Sequence, residues 1–293
     1  MLSTYNKRKL LKKLEPFLYL LPAIVFFGLF TYYPFLKTVF NSFFLIDSMG
    51  NIKEFIGLEN FINVLTNQAF LKSIGNTFIF VFLSVPTSIG IALLLALIAN
   101  KKTRTSSIYE LLFSLTMAMS MSVCAMIFQL MYNPSIGIIN HLLSADINWL
   151  NDKSYALISI VIIQVWMTIG YNFLFLLSAI RGVPTDLLES ASIEGANIFK
   201  KTTKIIIPMI SPTVFFLVCN AVAKNMVMSG LTIILTEGGP QGSTETMISF
   251  MYKQAMNNQN YNDAYAAAIV AFIITFIMIL ISFTFEKKGV HYS

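Results

Sequence analysis

Charge is what this sequence has least of: Asp, Glu, Lys and Arg together make up 12% of its 293 residues, about half the share of a soluble domain. With 56% hydrophobic residues and a mean hydropathy of +0.71, a water-soluble globular fold is excluded, and the chain requires a lipid bilayer as solvent. Cysteine is limited to Cys124 and Cys219. Both fall in apolar runs without the spacing of a metal or redox pair, so they read as small buried hydrophobes. Histidine is equally scarce, and His141 lies in a loop with no carboxylate or cysteine pattern around it, which makes it a surface residue rather than a ligand.

The missing motifs narrow the function further. There is no G-x-x-x-x-G-K-[ST] loop to cradle nucleotide phosphates. No Asp, Glu or His falls in the middle of an apolar run, which removes the protonatable relay of a proton-coupled transporter. Paired carboxylates, a nucleophile with its base, and metal-ligand clusters are also missing from any plausible common cavity, so the chain reads as non-catalytic, with no cofactor or metal of its own. If it moves a solute, the energy comes from a partner. The formal charge of +6 and pI near 9.2 do not signal nucleic acid, because the basic residues gather at the ends of apolar runs, as orientation signals do.

What is present is a series of long apolar runs, and it predicts an all-α membrane protein. A polar, basic segment, residues 1–15, precedes the first span, Pro16 to Phe40. That run is too long for the apolar core of a signal peptide and lacks a small-x-small cleavage site, so it is expected to stay uncleaved and to kink at Pro22 and Pro34. Further spans are expected at Asn76 to Ala99, Tyr109 to Met131, Tyr155 to Ile180, Thr213 to Leu235 and Ala264 to Phe285. The spanning domain thus covers residues 16–285, with a short tail at 286–293. The third span, with Ser114, Ala118, Ser120, Ser122 and Ala125, is expected to be buried among its neighbours. Lys7, Arg8, Lys9, Lys12, Lys13, Lys101, Lys102, Arg104, Arg181, Lys200, Lys201, Lys204, Lys287 and Lys288 fall on one side of this topology. Only Lys37, Lys53, Lys72, Lys153 and Lys253 fall on the other. The positive-inside rule then places both termini in the cytoplasm.

The longest charged stretch between apolar runs is Arg181 to Pro208, RGVPTDLLESASIEGANIFKKTTKIIIP. Pro184, Thr185 and Asp186 start a short helix, with capping-box spacing from Asp186 to Glu189. Gly195 closes it, because glycine alone takes a left-handed turn at no steric cost, and Asn197 caps the next helix. The product is a cytoplasmic helix-turn-helix elbow. Its first arm is too short to be stable alone, and its Leu187, Leu188 and Ala191 side is suited to a partner's groove.

At these residues the chain resembles the EAA signature of the membrane subunits of bacterial ABC importers. Glu189, Ala191, Gly195, Ala196, Ile205 and Pro208 match, while Ser190, Glu194, Thr202 and Ile207 depart from it. Gly57, Leu58, Asn60 and Phe61 resemble the G-L-x-N-[FY] box of the carbohydrate-uptake branch, which holds maltose-type and glycerol-phosphate-type permeases. Asn133, Pro134, Gly137 and Asn140 resemble its N-P-x-x-G-x-x-N turn. Thr236, Gly238, Gly239, Pro240 and Thr244 resemble its outward T-x-G-G-P loop. The resemblance implies a six-helix type I importer permease in the bacterial inner membrane. It implies a coupling elbow at Glu189, Ala191, Glu194, Gly195 and Ala196 and a loop at Gly238, Gly239 and Pro240 facing an extracellular solute-binding protein. The implied partners are a second permease, expected to be a different chain, and two ATP-binding subunits that carry ATP and Mg. Ser229 and Gly230 stand where the family has an aromatic-acid pair, so the pathway is expected to be altered at that depth.

Polar residues at membrane depth need partners or a wet cavity. The fourth and fifth spans carry such groups. Gln164, Trp166, Tyr171, Asn172, Asn220, Lys224 and Asn225 are therefore the candidate wall of a sugar pathway, aromatic faces stacking on C–H surfaces and amides exchanging hydrogen bonds with hydroxyls. Each could equally be a contact between helices. Lys224 suits either an anionic solute group or nearby carbonyls. A sugar acid or glycerol phosphate is the alternative solute, and an ion-coupled secondary transporter or a membrane scaffold the alternative class.

Overall fold

The computed structural model describes residues 15, 17, 19–100 and 106–289. The basic clusters at residues 7–13 and 101–104 lie outside the described residues, as do the side chains of Lys287 and Lys288. Among the described residues five helices are long and apolar enough to cross a membrane, and a bent pair, counted as one span, gives six.

The first helix, Tyr19–Asn41, comprises α1 (residues 19–27), a π turn at Gly28–Tyr32 and α2 (Tyr33–Asn41). Pro34 follows that π turn, and Pro208 follows a second one at Thr202–Ile206. The coincidence has a cause: proline offers no N–H to the carbonyl four residues back and its ring presses on that group, and a widened turn relieves both. After α2 comes an antiparallel hairpin, β1 (Phe44–Ile46) with β2 (Ile52–Phe55). Its turn is held by Asp47, which accepts from Asn51 N–H and pairs with Lys53 at 3.0 Å; the Asn51 bond and Lys53 hold the Asp47 pKa down at about 2. The short α3 (Glu59–Thr66) follows. Asn60 in the G-L-x-N-F box is 2% exposed and donates to Ser42 O and Phe44 O, both at 3.0 Å, so that box is a fastener for the hairpin.

The second span is α4 (Gln68–Ala99), which begins eight residues before the expected Asn76 because Asn67 caps it. The third is not continuous. It comprises α5 (Ser106–Ala118) and α6 (Met121–Met131), bent by 106°. Ser120 is the cause: its backbone is extended (φ −71°, ψ 149°) and its hydroxyl caps α6 by accepting from Val123 N–H at 3.3 Å. Nor is it buried as expected. Ala118, Ser120 and Ser122 are exposed, and the pair packs inward through Cys124, Ala125 and Phe128. In the loop beyond, around α7 (Ile138–Leu143), Asn140 takes the Trp149 indole N–H at 2.7 Å. A side chain on Gly137 would overlap the carbonyls of Met131 and Asn133, which explains the N-P-x-x-G-x-x-N spacing.

The fourth span, α8 (Ala156–Arg181), packs along α4. The elbow follows as α9 (Thr185–Ile193) and α10 (Ile198–Lys201), and α10 runs on through its π turn into α11 (Ile207–Met226). The expected fifth span therefore ends early. Its last part is a separate helix, α12 (Gly230–Leu235). A further helix missed in the sequence, α13 (Met247–Met256), precedes the last span, α14 (Tyr261–Gly289).

Side-chain bonds fix the directions. Gln164 and Ser84 share Asn225, Asn172 meets Ser88, and Arg181 meets the Ala99 carbonyl, so α4 and α8 run parallel. At their N-terminal ends lie the hairpin and the loop at residues 236–246, where Lys72 donates to Gln241 O and Asn76 to Gly242 O and Glu245 O. The Asn262 side chain, at the start of α14, bonds the backbone of Ile46 there too. At the other end Arg181 pairs with Glu110 at 2.6 Å and the elbow begins. Consecutive spans therefore alternate in direction.

At Gly170, α5 and α8 approach closely, and a side chain there would overlap the Phe113 carbonyl and the Thr116 hydroxyl. Gly170→Val is predicted to lower the melting temperature of the solubilised protein by several degrees, an overpacking cost of about 1–3 kcal/mol. Gly75→Ala, whose added methyl meets nothing within 4 Å, should leave it unchanged or slightly raised, since alanine suits a helix better than glycine, and equal melting points of the two variants would refute the close approach.

Candidate translocation site and coupling elbow

On α8, Gln164, Met167, Thr168, Tyr171 and Asn172 are spaced i, i+3, i+4, i+7 and i+8, which puts them on one face of the helix. That face and Asn220, Ala221, Lys224 and Asn225 of α11, with Met117 of α5, enclose a cavity of about 220 Å³. Six of the seven residues singled out in the sequence are thus brought together. Trp166 is the exception. Two residues from Gln164, it lies about 200° round the helix, and it packs edge-on against Phe128, ring centroids 5.6 Å apart, in an apolar cluster with Trp149 and Leu231. Met117, Met167, Thr168 and Ala221 were missed. The two on α8 could have been found by extending the i, i+3, i+4 pattern from Gln164.

The cavity wall is tied together by its own amides. Asn225, 3% exposed, accepts from Gln164 Nε2 at 2.8 Å and donates to Ser84 Oγ at 3.0 Å. Asn172 donates to Ser88 Oγ at 3.3 Å. Asn220 is held only at 3.5 Å from the Tyr171 hydroxyl. Lys224 Nζ lies 5.0 Å from the centre of the Tyr171 ring, and among the described residues no carboxylate pairs with it. The depth follows from α4: Asn225 meets Ser84 midway along that 32-residue helix, so α11 stops inside the membrane. The break at 227–229 comes next, and there a side chain on Gly230 would overlap Met121 Sδ at the bend of the third span. The Met121 side chain thus rests on Gly230 where the two broken spans meet, and Thr246 Oγ1 donates to the Met228 carbonyl that the break frees, at 2.9 Å.

In the elbow, Gly195 has φ +80° and Asn197 accepts from Lys200 N–H at 2.8 Å, as expected. Ala196 N–H donates to Ala191 O at 2.8 Å, the six-residue closure of a Schellman turn, so the Ala-x-x-x-Gly-Ala spacing is that of the turn. The capping box is not formed. Pro184 takes the N-cap position with no side-chain bond, which leaves Asp186 in the first turn and Glu189 exposed. Leu188, expected to face a partner, packs on the chain's own core, and Ala191 is half-buried. The apolar residues left open are Leu187, Ile193, Ile198 and Phe199, the last three 72–88% exposed. Glu194 and Gly195 are exposed beside them, and Ala196 is half-buried.

The T-x-G-G-P loop is folded back on itself. Thr244 Oγ1 donates to Gly239 O at 2.8 Å, and Glu245, 5% exposed, pairs with Lys253 at 3.6 Å. Gly238, φ +84°, is buried under Glu245, Gly239 and Pro240 are half-buried, and the residues that point outward are Glu237 and Gln241.

A bundle of six alternating spans around a polar cavity, with an exposed elbow at one end, is that of a membrane transport subunit. The chain belongs to the family of binding-protein-dependent transport system inner membrane components, whose model matches residues 67–287, and it is the permease subunit of an ABC importer. It is 32% identical over 284 residues to the sn-glycerol-3-phosphate transport system permease protein UgpA of Agrobacterium fabrum, covering 96% of this chain and 97% of that one. It is 31% identical to the probable ABC transporter permease protein YurN of Bacillus subtilis, over 94% and 97% of the two chains. Its fold superposes with a TM-score of 0.83, at 21% identity and over 96% of this chain and 98% of the other, on a chain of a bacterial alginate ABC transporter solved with an alginate pentasaccharide-bound periplasmic protein.

The correction at Trp166 is testable in uptake. Thr168 Oγ1 gives its proton to Gln164 O at 2.8 Å and offers the cavity an acceptor; Thr168→Val removes it and is predicted to raise the KM for solute roughly 3- to 10-fold, the worth of one hydrogen bond. Trp166→Phe, outside the cavity, should leave KM unchanged; the reverse order would restore Trp166 to the wall.

Proposed function

We propose that this chain forms half of the membrane pathway of an importer for a sugar or a closely related polar solute, driven by ATP hydrolysed on separate subunits. The observation that carries the reading is that one helix, α8, bears the cavity stripe on its length and runs at its end into the exposed elbow. Gln164, Tyr171, Asn172, Asn220, Lys224 and Asn225 would meet the solute. Glu189, Ala191, Glu194, Gly195 and Ala196, flanked by the open Ile193, Ile198 and Phe199, would form the coupling element seated in a cleft of an ATP-binding subunit. Two such subunits would hold ATP and Mg, and this chain would perform no chemistry. Lys224, an exposed cation on the cavity wall, cannot face hydrocarbon, which supports a second permease closing the cavity from that side. The outer end, with Glu237 and Gln241 outward, would receive the solute-binding protein.

The solute class is supported by the wall chemistry and by relatives whose names include glycerol phosphate. The basic residues at the elbow end support a cytoplasmic location for it and for both termini. Mechanistically, closure of the ATPase dimer would draw the two elbows together and turn the cavity outward to receive solute, and hydrolysis would release it inward. Because Gly195 has φ +80°, a β-branched residue there strains the backbone by about 1–2 kcal/mol or more and misdirects α10. Gly195→Val is expected to insert and to melt no more than a few degrees below wild type, with the bundle intact, but to lose uptake and stimulation of ATPase by the binding protein. Full retention of both would sink the coupling role.

A further inference from the structure

The groups on the cavity wall that are free to meet a solute are unevenly matched in charge. Asn225 spends its oxygen on Gln164 and its nitrogen on Ser84, and Asn172 gives an N–H to Ser88. Among the wall groups the Lys224 ammonium is the one charge, beside the Asn220 amide and the Tyr171 hydroxyl, which lie 3.5 Å apart, while the Thr168 hydroxyl gives its proton to Gln164 O at 2.8 Å. A neutral sugar presents donors and acceptors in similar numbers and gives no reason to hold a cation at this depth, where charged residues mark the ligands they serve. The other described cations either pair within the chain, Lys53 on Asp47, Arg181 on Glu110, Lys253 on Glu245, Lys72 on the Gln241 carbonyl and Lys201 on the Ser192 hydroxyl, or, as Lys37, Lys153, Lys200 and Lys204, stand exposed away from the cavity. Lys224 meets only the face of Tyr171, 5.0 Å away, which steadies the ammonium from one side and leaves its N–H groups to the cavity.

Resting on the importer reading above, we propose that the imported solute carries a negative group, a carboxylate or a phosphate, and that Lys224 is the specificity-determining residue that receives it, with Asn220 and the Tyr171 hydroxyl as neighbouring donors. The last turn of α11, where Lys224 sits, is a tolerable place for a cation because the carbonyl end of the helix faces it. That explains why the charge is borne in the absence of solute. It does not explain why the charge lines a cavity.

The test uses proteoliposomes holding the assembled transporter with its second permease, ATPase and binding protein. The solute that the purified binding protein retains is identified by mass spectrometry, and its ATP-driven uptake is measured for wild type, Lys224→Arg and Lys224→Gln, with the melting temperature of each complex. The retained solute is expected to be anionic. Lys224→Gln is expected to lower uptake efficiency roughly 10- to 100-fold, the loss of a charge-assisted bond, without lowering the melting temperature, and Lys224→Arg to keep most of it. Uptake of sn-glycerol 3-phosphate and of galacturonate separates phosphate from carboxylate as the charge. A neutral solute, wild-type uptake by Lys224→Gln, or a fall in uptake matched by a fall in melting temperature would overturn the proposal while leaving the importer intact. Wild-type complexes that show no ATP-driven uptake would overturn both.

Discussion

Hydrocarbon offers no hydrogen bonds, so every polar group at membrane depth must find its partner inside the protein, and the arrangement of this chain follows from that constraint. Two spans break in mid-course, and each break would expose backbone groups to lipid if it stood alone. They do not stand alone. Ser120 caps the helix it starts, Thr246 reaches down from the outer loop to the Met228 carbonyl, and the Met121 side chain rests on Gly230 where the second break meets the first. The same rule accounts for Asn225, which serves Gln164 with its oxygen and Ser84 with its nitrogen. A buried amide satisfied on both sides fixes three helices in register, and in doing so it sets the depth of the cavity.

Much of this was legible in the sequence, because lipid imposes a simple length requirement. Long apolar runs ending in Lys or Arg located the spans, and polar residues inside them located six of the ten residues that line the cavity. Trp166 failed because amphipathic side chains were selected by type, without asking which side of α8 they share. Thr168 and Met167 lie on that side and were passed over for the same reason. The breaks were invisible to mean hydropathy: Met119–Ser120 and Val227–Ser229 are as apolar as their surroundings or nearly so, and only the backbone angles of Ser120 and Ser229 interrupt the helices. In the elbow, Gly195 and Asn197 were readable because positive φ and N-capping each have few residue types that fit. The Asp186–Glu189 spacing misled because Pro184, with its fixed φ, starts the helix without a side-chain cap.

The inner end shows how the elbow is joined to the bundle. Arg181, at the last residue of α8, binds Glu110 of α5 and the terminal carbonyl of α4, so three helix ends are gathered at the point where the chain turns into α9. Leu188 and Ile205 then rest on the main core. The elbow is therefore fastened on its membrane side and open on the other, where Ile193, Ile198 and Phe199 present apolar surface beside charged residues.

A displacement applied to that open side needs no special chain of residues to reach the cavity. The stripe from Gln164 to Asn172 and the Arg181 junction belong to one uninterrupted 26-residue helix, and α10 continues into α11, which carries Asn220, Lys224 and Asn225. One wall of the cavity is thus the far end of a helix whose near end is an arm of the elbow, and the other belongs to α8, which joins the other arm through the break at residues 182–184. Packed helices move as rigid elements between discrete arrangements rather than bending smoothly. A change in the angle between the arms must then change the separation of the walls, unless the π turn at Thr202–Ile206 absorbs it. At that turn the hydrogen-bond ladder between α10 and α11 is already widened, so a bend there costs less than along a regular stretch of either helix.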